Sequence, residues 1–356
     1  MTWDEIDWEA LERLRGLFLS GATAGSSYWR SRADLASYDF TYGARIAWKW
    51  DAVVQELDQR GWKPPAQTVL KLEHGSGRGS AGAWSVLDWG CGSGVAGRRI
   101  VQWLGAERVG VLRLWDQSAL AADFAAEAAR TRFPGLRVEH LTPGFFAGSE
   151  PIGILVFSHV LTELPAAERT ALLEIAGRAD AVLWVEPGTT DASRALIDIR
   201  ERLRGRFRVV APCTHQNACG LLAPDNARHW CHHFAAPPPE IFVDSDWARF
   251  GRRAGIDLRS LPYSFLALAR ADRAPAAEAA GLDRVIGEPR FQKGVARLLS
   301  CSAAGVRELT VQKRDAPALI RELKHPVGPL VYRWTRADDR IQAGARLAGP
   351  EPGRGL

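Results

Sequence analysis

From Trp84 onward the chain alternates short apolar runs with segments of helical period. Buried strands are predicted for SVLDW, GVLRLWD, IGILVFSHV and AVLWVEP. Helices are predicted between them for SGVAGRRIVQWLG, SALAADFAAEAARTRF and PAAERTALLEIAGRA. Strands that alternate with helices form a parallel sheet covered on both faces, so the pattern predicts an α/β fold.

Helical patterns precede this core and mixed patterns follow it. WEALERLRGLFL and ARIAWKWDAVVQELDQRG predict helices, the second ending on a glycine that two prolines follow. Behind the core, DSDWARFGRRAG predicts a helix, and YSFLALAR and GVARLLSC predict strands. The last residues lack any period and predict disorder. The expected domains are a helical region (1–80), the α/β core (81–210), a cysteine-rich insertion (211–240), further sheet and C-terminal strands (241–335) and a disordered tail (336–356).

Composition limits the class of protein. With 356 residues and 46% apolar side chains, the chain needs neither disulfides nor a metal merely to fold. Its first residues are acidic, and its longest apolar stretch, ILVFSHVL, is too short to cross a bilayer. We therefore expect a cytoplasmic monomer without a membrane partner. In a reducing compartment, five cysteines favour a metal or a reactive site over a disulfide framework.

The formal charge of +5 rests on 40 Arg and 6 Lys residues against 41 acidic ones. Arginine grips phosphate with two parallel hydrogen bonds, which suits a nucleic-acid partner, although an Arg-rich genome explains the balance equally well. The five alternate residues from Arg200 to Arg208 are all arginines. An extended strand would place these five guanidinium groups on one face, whereas a helix would scatter them.

The first chemical motif is VLDWGCGSG, in which a strand is followed by three glycines and a helix. Gly90, Gly92 and Gly94 allow the backbone to turn tightly and to approach a ligand at the free N–H groups of the helix. This motif predicts a nucleotide-type pocket. Gly92, Gly94 and Gly97 also fit the dinucleotide pattern G-x-G-x-x-G, so the glycines alone do not identify the ligand.

The acidic residue before the glycines separates the two ligands. A carboxylate at Asp88 would repel a pyrophosphate, whereas S-adenosylmethionine brings a cationic sulfonium and an ammonium group. The run D-x-G-x-G-x-G therefore resembles motif I of class I methyltransferases. Asp88 would lie near the methionine end, and Asp116, which closes VLRLWD, would accept hydrogen bonds from both ribose hydroxyls. The alternative is that both aspartates are ordinary turn residues.

Two further strand ends are expected at the same edge of the sheet, where ligands of open parallel sheets bind. They contribute Ser158 and His159 from SHVLTEL, and Glu186 from WVEPGT. Ser158 and His159 are expected to contact the cofactor. His159 is a candidate proton acceptor or substrate contact, or else a helix cap. Glu186 is the other catalytic candidate.

The cysteines are clustered. Cys213, Cys219 and Cys231 lie within nineteen residues of one another, together with half of all the histidines. Cys301 lies further along, and Cys91 sits in the glycine loop. Four thiolates suit a tetrahedral zinc ion or an iron–sulfur cluster, although the spacing matches no zinc ribbon or finger. His232 could replace one sulfur, and the plain alternative is a set of unconnected, buried cysteines.

In this order, the motifs resemble the methyltransferase-like proteins of the mitochondrial small ribosomal subunit, the Rsm22 family, which has bacterial members. The resemblance is carried by VLDWGCGSG, HVLTEL, LWVEPGT, PCTHQNAC, WCHHF and RVIGEPRFQKGVARLLSC. It implies a class I methyltransferase (Rossmann-like) fold, an S-adenosylmethionine pocket and association with the small ribosomal subunit and its rRNA. It also implies a 4Fe-4S cluster held by Cys213, Cys219, Cys231 and Cys301.

Two functions remain open at this point. The first is an enzyme that methylates rRNA of the small subunit or, less well supported, a ribosomal protein. The second is a non-catalytic, RNA-binding assembly factor that uses the cofactor and the cluster as structural parts. A small-molecule methyltransferase is disfavoured by the basic charge and by the clustered cysteines.

Overall fold

The computed structural model describes residues 1–20, 28–65, 84–164, 168–273 and 281–347. Its contacts divide the chain into two compact units. The first unit comprises Met1–Asp51, Pro64–Val185 and Pro237–Leu261. The second unit comprises Ala52–Lys63, Glu186–Ala236 and Pro262–Leu356.

The described helices are α1 (Trp8–Ser20), α2 (Arg32–Tyr38), α3 (Ala44–Gln59), α4 (Val95–Leu104), α5 (Ala119–Arg132), α6 (Pro143–Ala147), α7 (Glu168–Ala176), α8 (Thr190–Leu203), α9 (Ser245–Ala254) and α10 (Pro317–Lys324). The described strands are β1 (Trp84–Trp89), β2 (Val109–Trp115), β3 (Val138–His140), β4 (Ile152–Ser158), β5 (Ala179–Pro187), β6 (Phe207–Ala211), β7 (His233–Phe234), β8 (Pro262–Arg270), β9 (Asp283–Gln292), β10 (Val295–Ser302), β11 (Gly305–Gln312), β12 (Val331–Ala337) and β13 (Arg340–Arg346).

Five parallel strands form the centre of the first unit, in the order β3-β2-β1-β4-β5. Every residue of β1 is buried, and β4 is buried up to its last residue. Such continuous apolar strands are found where helices cover both faces of a sheet. The predicted α/β fold with a parallel sheet is confirmed. The carboxyl ends of β1, β2 and β4 meet at one edge, because Asp88 pairs with Leu114 and Val156.

The N-terminal region is helical, as the sequence predicts. Ser31 caps α2 by accepting a hydrogen bond from the backbone N–H of Asp34. The carboxylate of Asp34 also accepts a hydrogen bond from the backbone N–H of Arg30 and one from the guanidinium of Arg13. These bonds fix the start of α2 against α1. Residues 66–80, which were expected to belong to this region, lie outside the described residues.

The second unit contains a closed five-stranded barrel in the order β10-β11-β13-β12-β9. Alternate residues of its strands, such as Ala296 and Leu298 in β10, fill the interior, and the apolar face of α10 packs against them. In the same unit β8 pairs antiparallel with β6 and with β7. The sequence predicted β8 outside the barrel and β10 within it. It missed the other four barrel strands, because their exposed positions carry many charged residues.

The predicted disorder from residue 336 is wrong as far as Arg346. β12 and β13 form a hairpin there, whose turn includes Asp338 in the left-handed region at φ 50°. Ile341 of β13 is fully buried in the barrel, and Gly344 lies beneath the ring of Trp334, where a Cβ would come within 2.5 Å of a ring atom. The hairpin is therefore ordered by apolar burial that a composition rich in Ala, Gly and Arg concealed. Residues 348–356 lie outside the described residues.

The arginine run does not form an extended, five-fold cationic face. Arg200 and Arg202 belong to α8, and Arg208 lies in β6, so the run crosses from helix to strand. Arg200 is 2% exposed. The apolar face of α8 overrides the alternate spacing, because a helix brings Leu196, Ile199 and Leu203 to one side.

Candidate functional site

The glycine loop turns between β1 and α4 as the motif predicts. Gly90, Gly92 and Gly94 have φ values of 67°, 50° and 78°, a region that favours glycine. A Cβ at Gly94 would lie 2.6 Å from that of Ala125, so only glycine fits against α5. At Gly92 the nearest atom would be 3.9 Å away, on Trp29. The backbone is therefore open to a ligand at Gly92.

Asp88 lies under the loop and is fully buried. Its Oδ2 accepts a hydrogen bond of 2.8 Å from the backbone N–H of Gly97, where a Cβ would come within 2.7 Å of that oxygen. Among the described residues, no group bonds its Oδ1. Asp88 thus fixes the first turn of α4 and does not line the adjoining cavity.

Burial raises the pKa of Asp88 to about 7, with Asp116 adding to the shift, while the Gly97 bond and Arg98 oppose it. The folded protein therefore holds the proton more tightly than the unfolded chain. Asp88 stabilises the fold fully below its ordinary pKa near 3.8, and this contribution is lost as the pH rises through about 7.

We expect Asp88→Asn to remove this pH dependence. Between pH 5 and pH 8, the variant should gain roughly 1–3 kcal/mol of unfolding free energy relative to the wild type. Urea denaturation at the two pH values measures the difference, and Asp123→Asn, at an exposed carboxylate, is the control. A constant difference between variant and wild type would contradict the raised pKa.

Asp116 directly follows β2 in the sequence, and its side chain lines the cavity. Its Oδ2 accepts a hydrogen bond of 2.9 Å from the backbone N–H of Gly92, and its Oδ1 accepts one of 2.8 Å from that of Ser118. Burial raises the pKa of this carboxyl, while these two bonds lower it. One side chain therefore ties the glycine loop to the start of α5.

The cavity beside the loop has a volume of about 140 Å³ and is partly open to solvent. Its wall combines aromatic rings with carboxyl groups. The rings of Trp89 and Trp115 stack with centroids 4.6 Å apart. Its acidic members are Asp116, Glu163 and Glu168. A ligand with a flat ring and a positive charge matches this wall.

A chain of hydrogen-bonding groups holds Ser158 and His159, which line the cavity. The Nζ of Lys49 lies 3.1 Å from Nε2 of His159, whose Nδ1 lies 3.3 Å from Oγ of Ser158. Nε1 of Trp50 donates to the same Oγ at 3.0 Å. Because an ammonium group only donates, Nε2 accepts and the proton lies on Nδ1. Burial lowers the pKa of His159 well below its usual value, and the charge of Lys49 lowers it further, so the imidazole is neutral.

The structure brings most of the predicted cofactor residues to this cavity, which is lined by Gly90, Gly92, Asp116, Ser158 and His159. Asp88 and Gly94 support the loop from behind. Glu186 is fully buried at the end of β5 and does not line the cavity. His159 has a φ of 59°, so the residue after β4 turns in the left-handed region.

Three residues that line the cavity were not predicted from the sequence: Tyr28, Trp29 and Glu163. Tyr28 donates a hydrogen bond of 3.0 Å to Oε2 of Glu163. Burial raises the pKa of Tyr28 well above its usual value, and the charge of Glu163 adds to this. Glu163 could have been predicted, because it belongs to the HVLTEL stretch that follows a predicted strand. Tyr28 and Trp29 precede the first strand by more than fifty residues, and no local pattern marks them.

The four predicted cysteine ligands meet in the second unit. Cys213, Cys219 and Cys231 line one small cavity. Cys301, in β10, packs with Cys219 and Cys231 in one apolar cluster. Burial raises the pKa of Cys219, Cys231 and Cys301, and the neighbouring thiols raise it further. Cys91 lies apart from them, among the residues of the first unit that line the cavity beside the glycine loop.

Arginine side chains of helix α8 hold the cysteine segment, residues 211–234, through hydrogen bonds to the carbonyl oxygens of that segment. Arg194 donates hydrogen bonds to the carbonyl oxygens of Leu221, Asn226 and Ala227 at 2.8–2.9 Å. Arg200 donates one of 2.8 Å to the carbonyl oxygen of Asn217. These bonds attach the loop to α8, in addition to the short-range backbone bonds within the loop itself. Arg200, which an extended strand would have placed on a cationic face, thus bonds to backbone inside the protein.

Arginines that are paired with carboxylates lie beside the cysteines. Arg60 donates hydrogen bonds to the carbonyl oxygens of Pro212 (2.9 Å) and Cys213 (3.1 Å), and pairs with the buried Glu56 at 2.8 Å. Arg284 also pairs with Glu56. Burial alone would raise the pKa of Glu56, but the two guanidinium groups lower it below its usual value. The carboxylate therefore stays ionised and holds both arginines in place.

The cysteine segment does not have the geometry of a formed metal site. Within the described ranges, no three Cys, His, Asp or Glu side chains are arranged so that they could hold a metal ion. The thiols of Cys231 and Cys301 instead lie 3.7 Å from Nε2 of His233 and His215. The structure thus does not support the expected metal-binding insertion, because its thiols are gathered by apolar packing and by contacts with these rings.

His232, the predicted substitute ligand, points elsewhere. Its ring stacks on Trp230 with centroids 4.7 Å apart, and its Nδ1 lies 3.1 Å from the carbonyl oxygen of Trp230. It also lies against Gly287, where a Cβ would come within 2.8 Å of the ring. The histidines next to the thiols are His215 and His233.

None of the helices in the described part of the chain has the length and apolar character of a membrane span.

Comparison with solved structures gives distant likenesses to methyltransferases. Magnesium protoporphyrin IX methyltransferase from Synechocystis PCC 6803, solved with bound S-adenosylhomocysteine, is 13% identical at a TM-score of 0.38, covering 74% of this chain and 100% of that one. The plantazolicin methyltransferase is 11% identical at 0.36, over 74% and 97%. The 16S rRNA methylase ArmA is 10% identical at 0.35, over 76% and 98%. With TM-scores below 0.5, these likenesses carry no argument about activity.

Sequence comparison is more specific. A search of curated protein sequences finds no match. A family model, described as mitochondrial small ribosomal subunit Rsm22, matches residues 119–330, which is more than half of the chain. The matched range begins at the start of α5, three residues after Asp116 in the sequence, and it contains all four clustered cysteines. The protein therefore belongs to the Rsm22 family.

Proposed function

We propose that this protein binds S-adenosylmethionine in the cavity beside the glycine loop and acts as a methyltransferase-like factor of the small ribosomal subunit. The position of Asp116 carries the proposal. Its carboxylate follows β2, bonds the N–H of Gly92 and lines a cavity that also contains Glu163. An acidic, partly aromatic cavity suits a ligand with a sulfonium, an ammonium and an adenine, and disfavours the anionic pyrophosphate of a dinucleotide.

The residues present suit each part of this cofactor. Asp116 would accept hydrogen bonds from the ribose hydroxyls, and the backbone at Gly90 and Gly92 can approach the ligand because no Cβ intervenes. The carboxylate of Glu163 offers a partner of opposite sign to the ammonium group. When bound, the cofactor supplies an electrophilic methyl group.

The groups around the cavity also support the second candidate, a non-catalytic assembly factor. A methyl acceptor often needs a base, and a neutral imidazole can serve as one. However, His159 already contacts Lys49 and Ser158 through its two ring nitrogens, and its lowered pKa makes it a weak base. Glu186, the other candidate, does not line the cavity. Binding without turnover is compatible with this arrangement.

For the cysteines, we propose an iron–sulfur cluster of the 4Fe-4S type, with a zinc ion as the alternative. Half-buried and buried thiols that converge next to Arg200 and Arg60 suit an anionic centre, because metal binding displaces their protons and the guanidinium groups offset part of the resulting charge. A single zinc ion would require sulfurs roughly 3.8 Å apart, as tetrahedral bonds of about 2.3 Å imply. A cluster of several irons spreads the same thiolates over a larger space.

The family name supports the small ribosomal subunit as the partner. Within that subunit, we propose rRNA as the contacted molecule. To test this proposal, anaerobically purified protein and radiolabelled S-adenosylmethionine are incubated with small-subunit particles taken at successive stages of assembly. We expect the protein to sediment with immature particles. Label transferred to rRNA would establish the enzyme, and co-sedimentation without label would favour the assembly factor. Failure to sediment with any particle would overturn the ribosomal assignment.

A further inference from the structure

The barrel of the second unit has a recognisable topology. Its strands follow the order β9-β10-β11-β13-β12 and close on β9, with β11 and β13 parallel and α10 between β11 and β12. This is the arrangement of the oligonucleotide- and oligosaccharide-binding (OB) fold, a five-stranded Greek-key barrel. OB folds bind their ligands on the face of the second and third strands and on the loops that join strands 1–2 and 4–5. Here these are β10, β11 and the loops after β9 and β12.

The positive charge of the protein resides in this barrel. Residues 283–347 contain 13 Lys and Arg against 7 Asp and Glu, an excess of +6, whereas the whole chain has +5. The remainder of the chain is therefore nearly neutral, at −1. An Arg-rich genome would raise the charge throughout the chain, so it does not explain an excess confined to one small domain.

Within the barrel, basic side chains gather at one end of the ligand face. They are Arg290, Lys293, Arg297, Lys313 and Arg314. The backbone brings them together, because the N–H of Lys313 donates a 2.8 Å hydrogen bond to the carbonyl oxygen of Gly294. Arg297 pairs in register with Arg290 on one side and Thr310 on the other. We call these five residues the basic end.

Part of this charge is balanced, and part is not. Glu308 pairs with Arg290 and Arg297, and Asp315 lies 3.8 Å from Arg314. Two carboxylates against five cations still leave an excess of three. In the described structure Lys293 and Lys313 are exposed and form no ion pair with a carboxylate. The other end of the same face is covered, since Cys301 and Val306 pack with the cysteine segment.

We infer that the basic end binds single-stranded RNA through its phosphates. The choice of RNA among polyanions rests on the proposed association with the ribosomal subunit, whereas the binding site rests on the barrel alone. Phe291 does not belong to the basic end, because it pairs with the buried Ala296 and therefore lies on the opposite side of β9 from Arg290, with Lys324 5.5 Å from its ring centroid. Contacts to the phosphate backbone alone predict binding with little sequence preference.

The test titrates the full-length protein into a fluorescein-labelled oligouridine of about 12 nucleotides, a length typical of OB folds, and follows anisotropy over a range of KCl concentrations. The triple variant Lys293→Gln, Arg297→Gln, Lys313→Gln should flatten the plot of log affinity against log salt by about 2, since each phosphate contact contributes about 0.7. At 0.1 M salt this corresponds to binding roughly 100-fold weaker than wild type.

The matched control replaces Arg132, Arg137 and Arg252, three exposed arginines of the first unit, by glutamine. It removes the same charge and should leave the slope as in the wild type. Equal slopes in the barrel variant and the wild type would overturn the inference, as would an equal effect of the control. So would unchanged RNA binding combined with lost affinity for an acidic protein. Lys293→Glu, in a solvent-exposed loop, provides a second variant if the triple variant does not fold. Retained S-adenosylmethionine binding by the barrel variant separates this site from the cofactor cavity.

Discussion

Anaerobically purified wild-type protein is expected to be brown, and Cys301→Ser is expected to abolish this colour as completely as Cys213→Ser. Cys301 lies in β10, far along the chain from the other three thiols, yet it packs with Cys219 and Cys231. Because thiolates bind metal only when they converge, each ligand contributes to holding the cysteine segment as well as the metal. Wild-type protein should contain iron and acid-labile sulfide in equal amounts, roughly four of each per chain.

Absorption spectra and metal analysis of the two variants measure this effect, with limited proteolysis of residues 211–234 as an independent reading. Cys91→Ser is the matched control, since Cys91 lines the cavity beside the glycine loop in the first unit. It should keep the full colour. Stoichiometric zinc without visible absorbance would replace the cluster by a zinc site. Full metal content in the Cys301 variant would assign the fourth bond to a histidine, and His215 or His233 would be examined first.

Asp116→Ala should weaken S-adenosylmethionine binding by about 1.5–3 kcal/mol, or roughly 10- to 150-fold. The variant loses the acceptor of the ribose hydroxyls and also the bond that holds the N–H of Gly92. Isothermal titration calorimetry of the folded variant measures the loss. Asp123→Ala removes a carboxylate from the exposed side of the same neighbourhood and should bind as the wild type does. An unchanged affinity of the Asp116 variant would remove this residue from the cofactor site.

The parts of the molecule that short local patterns encode were predictable from the sequence. The strands of the parallel sheet are continuous apolar runs, and the glycine loop with its following aspartate has a fixed spacing. The loop, Asp116 and Ser158 therefore lie where the motif predicts. The barrel escaped prediction because its strands carry charged residues at exposed positions and pair across long stretches of sequence. The register of Thr310 with Arg340 is one such pairing.

Side chains that reach the cavity from distant segments were equally hidden. Lys49 and Trp50 lie in α3, and they meet Ser158 and His159 more than a hundred residues later. No spacing within the sequence marks such a contact. The arginine run shows the opposite error, since its regular spacing suggested a surface while the burial of α8 decided the structure. Arg200 consequently binds the backbone of the cysteine segment.

The most direct test of the account is calorimetric titration of the wild-type protein with S-adenosylmethionine, with NAD titrated in parallel. The carboxylates at Asp116 and Glu163 should admit the cationic cofactor and exclude a pyrophosphate. We expect one S-adenosylmethionine bound per chain and no heat of binding from NAD. Binding of NAD, or the absence of any binding of S-adenosylmethionine, would contradict it.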